Sequence, residues 1–130
     1  QQLCWERDLL SLLGSPFIVH LLCTYRDDQF IYLLMEAVLG GDLYQLMRTR
    51  GELFFRDEPH GSATAFYVAC LIAALEHLHE RKIVYRDAKP ENILLDEMGY
   101  GKLCDMGLAR FVCGKTNTQV GTPDYMAPEI

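Results

Sequence analysis

Two aspartates, Asp87 and Asp105, stand where the sequence concentrates its chemistry. Asp87 lies in Val84-Tyr-Arg-Asp-Ala-Lys-Pro-Glu-Asn-Ile-Leu-Leu95, a polar block set between two apolar runs, with Lys89 and Asn92 close behind it. Asp105 is followed by Met106 and Gly107, and the glycine lets the backbone turn sharply. Each aspartate sits beside a short apolar stretch that reads as a strand, a place where a scaffold can hold a carboxylate rigidly at a cleft. Aspartate and asparagine oxygens around a phosphate suit Mg²⁺, a hard ion that takes only a few protein ligands. A second aspartate, free of the metal, can accept a hydroxyl proton, and a nearby lysine can neutralise charge on a transferring phosphoryl group. Taken singly, each residue reads as an ordinary solvated turn residue. The whole set, in this order, does not.

These residues need elements to position them. Residues 3–13 place Trp5, Leu9, Leu12 and Leu13 at helical spacing before a stop at Gly14-Ser-Pro16. Phe17 to Tyr25 and Phe30 to Val38 read as two strands around the polar turn Arg26-Asp-Asp-Gln29. Gly40-Gly41-Asp42 precedes a short amphipathic helix from Leu43 to Arg50, and Gly51 to Gly61 reads as a loop. Ser62 is placed to cap a helix running to about Glu80, with Phe66, Ala69, Ile72, Ala73 and Leu78 as its buried stripe. Ile83–Val84, Ile93 to Leu95 and Lys102 to Cys104 read as short strands, with a turn at 97–99. From Met106 onward the Gly-, Thr- and Pro-rich chain gives little expectation of regular structure. The class is α+β with a mainly helical second half, and there is no internal repeat.

Composition narrows the function classes. The 130 residues suffice for about one small domain, half of them hydrophobic and 23% charged, as in a globular protein. No apolar run approaches the roughly 18 residues of a membrane span. A net charge of −6 argues against nucleic acid as the main partner and suits cations or basic peptides. The odd count of five cysteines, without Cys-x-x-Cys, fits no disulfide framework and favours a cytoplasmic or nuclear setting. His77 and His79 point to different helix faces, so a zinc site there is not expected. No signal peptide is visible in the residues given, and the opening at Gln1, directly in helix-like sequence, suggests a piece of a longer chain.

Tyr85-Arg-Asp-Ala-Lys-Pro-Glu-Asn92 resembles the catalytic loop of eukaryotic protein kinases. Asp105-Met-Gly107 resembles their magnesium-binding Asp-Phe-Gly, and Ala127-Pro-Glu129 their Ala-Pro-Glu. Gly121-Thr-Pro-Asp-Tyr125 is similar to their substrate-docking loop, and it and Lys89 are serine/threonine-kinase features. Tyr85 in place of histidine, with Met35-Glu-Ala-Val-Leu-Gly-Gly-Asp42, is similar to the AGC branch, nearest to its cyclic-nucleotide-dependent and in particular cGMP-dependent members. The resemblance covers essentially the whole chain. It implies a partial bilobal kinase fold, with residues 1–38 as the N-lobe remainder and hinge and 39–130 as the C-lobe through Ala-Pro-Glu.

It also implies roles. Asp87 would orient the substrate hydroxyl and accept its proton, Lys89 would steady the γ-phosphate of ATP, and Asn92 and Asp105 would hold Mg²⁺. Met35 would be the gatekeeper beside adenine, Glu36 and Val38 would offer it backbone hydrogen bonds, and Leu94 would pack beneath it. Asp42 would sit at the ribose and the edge of the peptide groove, although a helix N-cap describes it equally well. Glu91 would lie in that groove, where acidic groups favour basic substrates. Glu6 falls where the C-helix glutamate pairs with the ATP-binding lysine, or it is a solvated helical glutamate. Leu10, Leu21, Tyr85 and Met106 match the hydrophobic spine between the lobes, and plain core describes the same burial. Thr118 matches the activation-loop phosphorylation site, served by an upstream kinase, with Arg86 and Arg110 to receive the phosphate. Thr122 would bond toward Asp87 and Lys89.

Three positions depart from the pattern. Ala88 replaces a leucine, a truncation that costs on the order of 2–4 kcal/mol in a tight core. Met106 replaces phenylalanine and can fill its place flexibly. The loop from 51 to 61 is longer than usual. No glycine-rich phosphate loop or strand lysine precedes Glu6, and the helices after Ala-Pro-Glu are absent, so the chain as given is expected to lack full activity alone. The leading expectation is an ATP- and Mg²⁺-dependent protein serine/threonine kinase acting on proteins with basic motifs. A pseudokinase that binds nucleotide or a partner is the alternative, and a small-molecule kinase is disfavoured by Gly121-Thr-Pro and Ala127-Pro-Glu.

Overall fold

The computed structural model describes residues 2–56, 62–114 and 118–128, with the side chains of residues 2–5 excepted. Helix α1 (Gln2–Leu12) leads through an extended segment into the hairpin β1 (Leu21–Arg26) and β2 (Ile31–Met35). Helices α2 (Leu43–Arg50) and α3 (Ala63–Glu80) follow, then the short strands β3 (Ile83–Val84), β4 (Ile93–Leu95), β5 (Gly101–Leu103) and β6 (Arg110–Phe111). The strands make three antiparallel pairs, β1 with β2, β3 with β6 and β4 with β5. This is the α+β arrangement expected, with helices beside small antiparallel sheets.

Local chemistry accounts for the elements. Asp27 sets the hairpin turn by accepting from the Gln29 and Phe30 amides at 2.7 and 2.6 Å and from the Tyr32 hydroxyl at 2.8 Å. Asp42 caps α2 through the Gln45 amide at 2.8 Å, and Ser62 caps α3 through the Ala65 amide at 3.1 Å. Gly40 has no room for a side chain, since a Cβ would stand 2.4 Å from the Leu95 carbonyl oxygen. The contact belongs to a stitch in which the Gly40 amide donates to Leu95 O and the Leu95 amide to Gly41 O. The linker after β2 is thereby fastened to β4.

One buried cluster runs through the molecule, joining Leu9, Leu10 and Leu13 of the α1 region to Ile18, Leu78, Ile83, Tyr85, Leu103 and Met106. Several sequence expectations shift against it. In α1, Leu12 is exposed and Leu10 is buried in its stead; Trp5 is among the side chains outside the description. The expected stripe of α3 is turned by about one position. Cys70, Ala74 and Leu78 are buried, with Ala63, Tyr67, Leu71 and Leu75 half-buried beside them, whereas Phe66 and Ile72 are exposed. The helix is apolar on most of its circumference, and its partners decide the face: Tyr67 stacks on Phe54 at 5.9 Å, and Cys70 lies against Gly101.

The regular strands are shorter than read. Phe17 lies in a turn, and residues 18–20 are joined to β5 by the Ile18–Leu103 bridge, without belonging to the hairpin. The segment 51–55 is a 3-10 helix that buries Phe54, so only part of the expected loop is irregular; Asp57 to Gly61 lie outside the described residues. Past Met106 the chain forms β6 and a 3-10 turn, Pro123–Tyr125, because β3 offers an edge that Arg110 and Phe111 pair with. One face of the β1–β2 hairpin, carrying Leu22, Tyr32 and Leu34, is exposed.

Candidate active site

Residues 85–92 leave β3, cross beneath the turn at 121–122 and return as β4. Tyr85 anchors the crossing from below. It is fully buried, and its hydroxyl donates to the Cys104 carbonyl at 2.6 Å. Burial of the ring and the nearby Cys104 thiol raise the Tyr85 hydroxyl far above its ordinary range, so it remains a donor at any physiological pH. Arg86 follows in the left-handed region, φ 72°, and its Nε donates to the Leu108 carbonyl at 2.9 Å. These two bonds hold the loop to the segment that carries Asp105.

Above them four side chains close a knot. The Thr122 hydroxyl donates to Asp87 Oδ1 at 2.7 Å and accepts from Lys89 Nζ at 3.0 Å. Lys89 Nζ also stands 2.9 Å from Asp87 Oδ2, and Asn92 Nδ2 donates to the same oxygen at 2.9 Å and to the Asp87 carbonyl at 3.0 Å. Burial pushes the Asp87 carboxyl up, but the bonds from Thr122, Lys89 and Asn92 outweigh it and leave the group below its usual range. Asp87 is therefore ionised at neutral pH. The ion pair raises the Lys89 ammonium correspondingly.

Thr122 reaches Asp87 because Gly121 lets the chain pass close to the loop. At Gly121 φ is 121°, and a Cβ would meet the Arg86 carbonyl oxygen at 2.4 Å. Asn92, in turn, accepts through its carbonyl from the Cys104 amide at 2.9 Å, which sets it beside the strand end that presents Asp105. Asp105 is exposed, adopts φ 57°, and accepts from the Gly107 amide at 3.0 Å. Met106 behind it is fully buried in the central cluster with Tyr85 and Leu10; Leu21 packs against the same cluster, half-buried.

The remaining residues singled out in the sequence fall into three groups around this knot. Met35 ends β2, Glu36 and Val38 lie in the linker that follows, and Leu94 lies in β4, bridged to Asp42. The Glu36 amide donates to His20 O at 2.9 Å, so its carbonyl is the backbone group it can offer a ligand. Asp42 serves as the helix cap, the second of its two readings. Glu6 approaches Met106 and Asp105. Burial, then the Asp105 charge, raises its carboxyl against a hydrogen bond from the Met106 backbone. Glu91 is exposed and lies near Tyr125, whose hydroxyl is raised by burial and then by Glu91, Tyr44 and Asp124.

On the other side, Thr118, Arg86 and Thr122 share a cleft of about 700 Å³ with Leu75, Ala88 and Met126. Arg110 is close enough to Arg86 that burial and this second guanidinium together lower the Arg86 pKa. Arg110 Nη1 donates to the Ala109 carbonyl at 2.7 Å. Ala88 is exposed at this cleft, so its small side chain leaves no gap in a tight core here. Glu129 of the Ala-Pro-Glu motif lies outside the described residues. Sequence reasoning missed Lys102, counted only as a strand residue. Its ammonium grips both oxygens of Glu36 at 2.9 and 2.8 Å, a partner too remote in sequence for any local signal to reveal.

An ionised aspartate knotted to a lysine and a threonine, and an asparagine next to an exposed aspartate, thus stand close together in the stretch whose sequence resembles a protein kinase. The comparisons bear on the same point: the protein kinase domain family matches residues 1–130, and the chain belongs to that family. It is 48% identical over 130 residues to a cGMP-dependent protein kinase of Toxoplasma gondii, covering the whole of this chain and 12% of that protein. It is 49% identical over 126 residues to the cGMP-dependent protein kinase of Eimeria tenella, covering 96% of this chain and 12% of the relative. With isozyme 1 of the Drosophila melanogaster cGMP-dependent protein kinase the identity is 45% over 127 residues, 96% of this chain and 16% of the relative. The chain thus spans only a small part of the length of these relatives.

Proposed function

We propose that the protein containing this chain is a serine/threonine kinase that moves the ATP γ-phosphate to hydroxyls of protein substrates. The observation that carries the reading is the Asp87–Lys89–Thr122–Asn92 knot set beside Asp105. Asp87 Oδ1 and Oδ2 are held by three donors, so the carboxylate keeps one orientation and its charge. In that state it can align a substrate hydroxyl and take its proton as the oxygen attacks phosphorus. Lys89 and Thr122 meet at the same carboxylate, and the lysine brings positive charge to where the phosphoryl group would pass.

The donor set fits Mg²⁺ and ATP. Among the described residues no three His, Cys, Asp or Glu converge on one point, and Mg²⁺ asks for less, one or two protein oxygens plus phosphates and water. Asp105 and Asn92 would supply those oxygens, since the Asn92 amide nitrogen is committed to Asp87. The bound ion would neutralise phosphate charge. Met35, the Glu36 carbonyl, the Val38 backbone and Leu94 would receive the base, with Asp42 near the sugar and Glu6 awaiting a lysine. Glu91 and Asp124, with Tyr44 and Tyr125, form an acidic and aromatic surface suited to basic peptides. Arg86 and Arg110 would receive a phosphate placed on Thr118 by another kinase. Among the described residues no helix is long and apolar enough to cross a membrane, and Cys23, Cys70, Cys104 and Cys113 are free thiols, in keeping with a cytoplasmic or nuclear setting.

The test is Asp87→Asn in the full-length protein, assayed with Mg-ATP and a basic serine peptide. Transfer is expected to fall by about 10²- to 10⁴-fold, the usual contribution of a general base. Equal phosphate incorporation by both proteins would remove Asp87 from the chemistry, and a wild-type protein that binds ATP without transfer would favour the pseudokinase. Thr118→Ala is expected to lower the rate about tenfold or more if a phosphate there orders the segment through Arg86 and Arg110. Phosphate mapping of the active protein that leaves Thr118 unmodified would contradict that role.

A further inference from the structure

The linker after β2 is tied down by an ion pair that the chemistry proposed above does not use. Glu36 follows Met35 directly, and Lys102 Nζ stands 2.9 Å from its Oε1 and 2.8 Å from its Oε2. The His20 amide donates to Oε1 at 2.8 Å, and the Glu36 amide returns a bond to His20 O at 2.9 Å. An isolated exposed pair contributes little to stability. Here the two side chains keep only 15% and 27% of their surface, and the carboxylate accepts three bonds from two donors, the Lys102 ammonium and the His20 amide. Burial pushes the Glu36 carboxyl up, while Lys102 and the His20 amide pull it down further, leaving it below its ordinary range and ionised at neutral pH.

The position of Lys102 gives the pair its meaning. It lies in the middle of β5, directly across the ladder from Leu94. The same strand is held to residues 17–19 by the bonds from Leu103 N to Phe17 O and from Val19 N to Leu103 O. Three segments therefore meet at one carboxylate: the linker at Glu36, the extended segment at His20, and β5 at Lys102. Gly40 and Leu95 close the far end of the linker. Between the Glu36 fastening and the one at Gly40 lies Val38, in the linker that Asp42 bridges to Leu94 at its end.

We propose that Lys102 is a positioning residue for the nucleotide base: through Glu36 it holds the linker against β4–β5, so that the Glu36 carbonyl and the Val38 backbone stay opposite Leu94. The inference rests on the kinase reading and goes beyond it, since Lys102 touches no reacting atom. Losing the ammonium leaves Glu36 half-covered without its main partner. The linker then relaxes toward solvent, and the base edge loses its register.

The experiment uses the full-length protein and adenosine without Mg²⁺, a probe of the base edge free of phosphate contacts. Lys102→Met is expected to weaken adenosine binding about three- to tenfold, the range of one partly covered ion pair. The KM for ATP should rise by the same factor, while kcat and the KM for peptide stay within about twofold. Lys102→Arg should restore adenosine binding, because a guanidinium can grip the same carboxylate. Glu36→Gln should match Lys102→Met, and the double variant should be no weaker than the worse single one, since both act through one contact. Thermal unfolding without ligand identifies a misfolded variant, for which Lys102→Gln substitutes. Unchanged adenosine binding in Lys102→Met, or additive losses in the double variant, would overturn the proposal and leave the kinase reading intact. Failure of the unsubstituted protein to bind adenosine or ATP would overturn both.

Discussion

A carboxylate that must accept a proton at neutral pH has to be ionised without being neutralised by a permanent bond, and Asp87 meets both conditions. Among the described residues Lys89 is its only cationic partner, and Thr122 and Asn92 supply the remaining bonds as neutral donors. The chain's thiols illustrate how environment separates residues of one type. Burial and then the Asp105 charge push the Cys104 thiol up to about 11, whereas Cys113 is exposed. At pH 8, limiting iodoacetamide followed by peptide mapping should label Cys113 well before Cys104. Prior labelling of Cys104 would contradict the burial described for it. At this scale the sequence was legible wherever chemistry is local: Asp87, Lys89 and Asn92 fall within one turn of chain, and the Gly121-Thr-Pro motif announced Thr122. Lys102 was not legible, because an ion pair spanning 66 positions has no periodicity or spacing to betray it.

The elements show where pattern runs out. α3 was legible as a helix, from its capping serine to about Glu80, yet its buried face was not. Ala63, Ala69, Ala73 and Ala74 leave the sequence apolar in several directions, and only Phe54, Gly101 and β3 select one of them. The 3-10 helix at 51–55 and strand β6 were missed for a related reason. Each exists by virtue of a partner, Phe54 against Tyr67 and Arg110 against Val84, and each is too short to carry a period of its own. The cap of α3, by contrast, is a local device with a local consequence. Ser62→Ala should speed amide hydrogen exchange at Ala65 about fivefold, matching the roughly 1 kcal/mol of a lost N-cap, and Ser62→Asp should restore it. Unaltered exchange at Ala65 would mean that the Ser62 hydroxyl does not satisfy that amide.

For the molecule as a whole, one core threads α1, the 85–92 loop and the Asp105 segment, with Leu9 and Leu10 of α1 in the same buried cluster as Met106 and Tyr85. The α+β class was legible from the alternation of patterns, while the three separate strand pairs were not, since two- and three-residue strands find partners only in the folded chain. The net charge of −6 belongs to this scale as well. Together with Glu91 and Asp124 beside Tyr125 it should draw basic peptides toward the site. Raising NaCl from about 0.05 to about 0.3 M should therefore increase the KM for a basic serine peptide about fivefold, with little change for a neutral peptide. A KM insensitive to salt would detach substrate choice from this acidic surface. The tightest backbone passages of the fold, at Gly40 and Gly121, have a consequence for heredity. Every amino-acid replacement of a glycine adds at least a Cβ, and in both places that atom would strike a carbonyl oxygen at 2.4 Å. A library of missense alleles should therefore be as depleted at codons 40 and 121 as at codon 87, although neither glycine carries a functional group. An inheritance map read for chemistry alone would mistake these two close passages for catalytic residues.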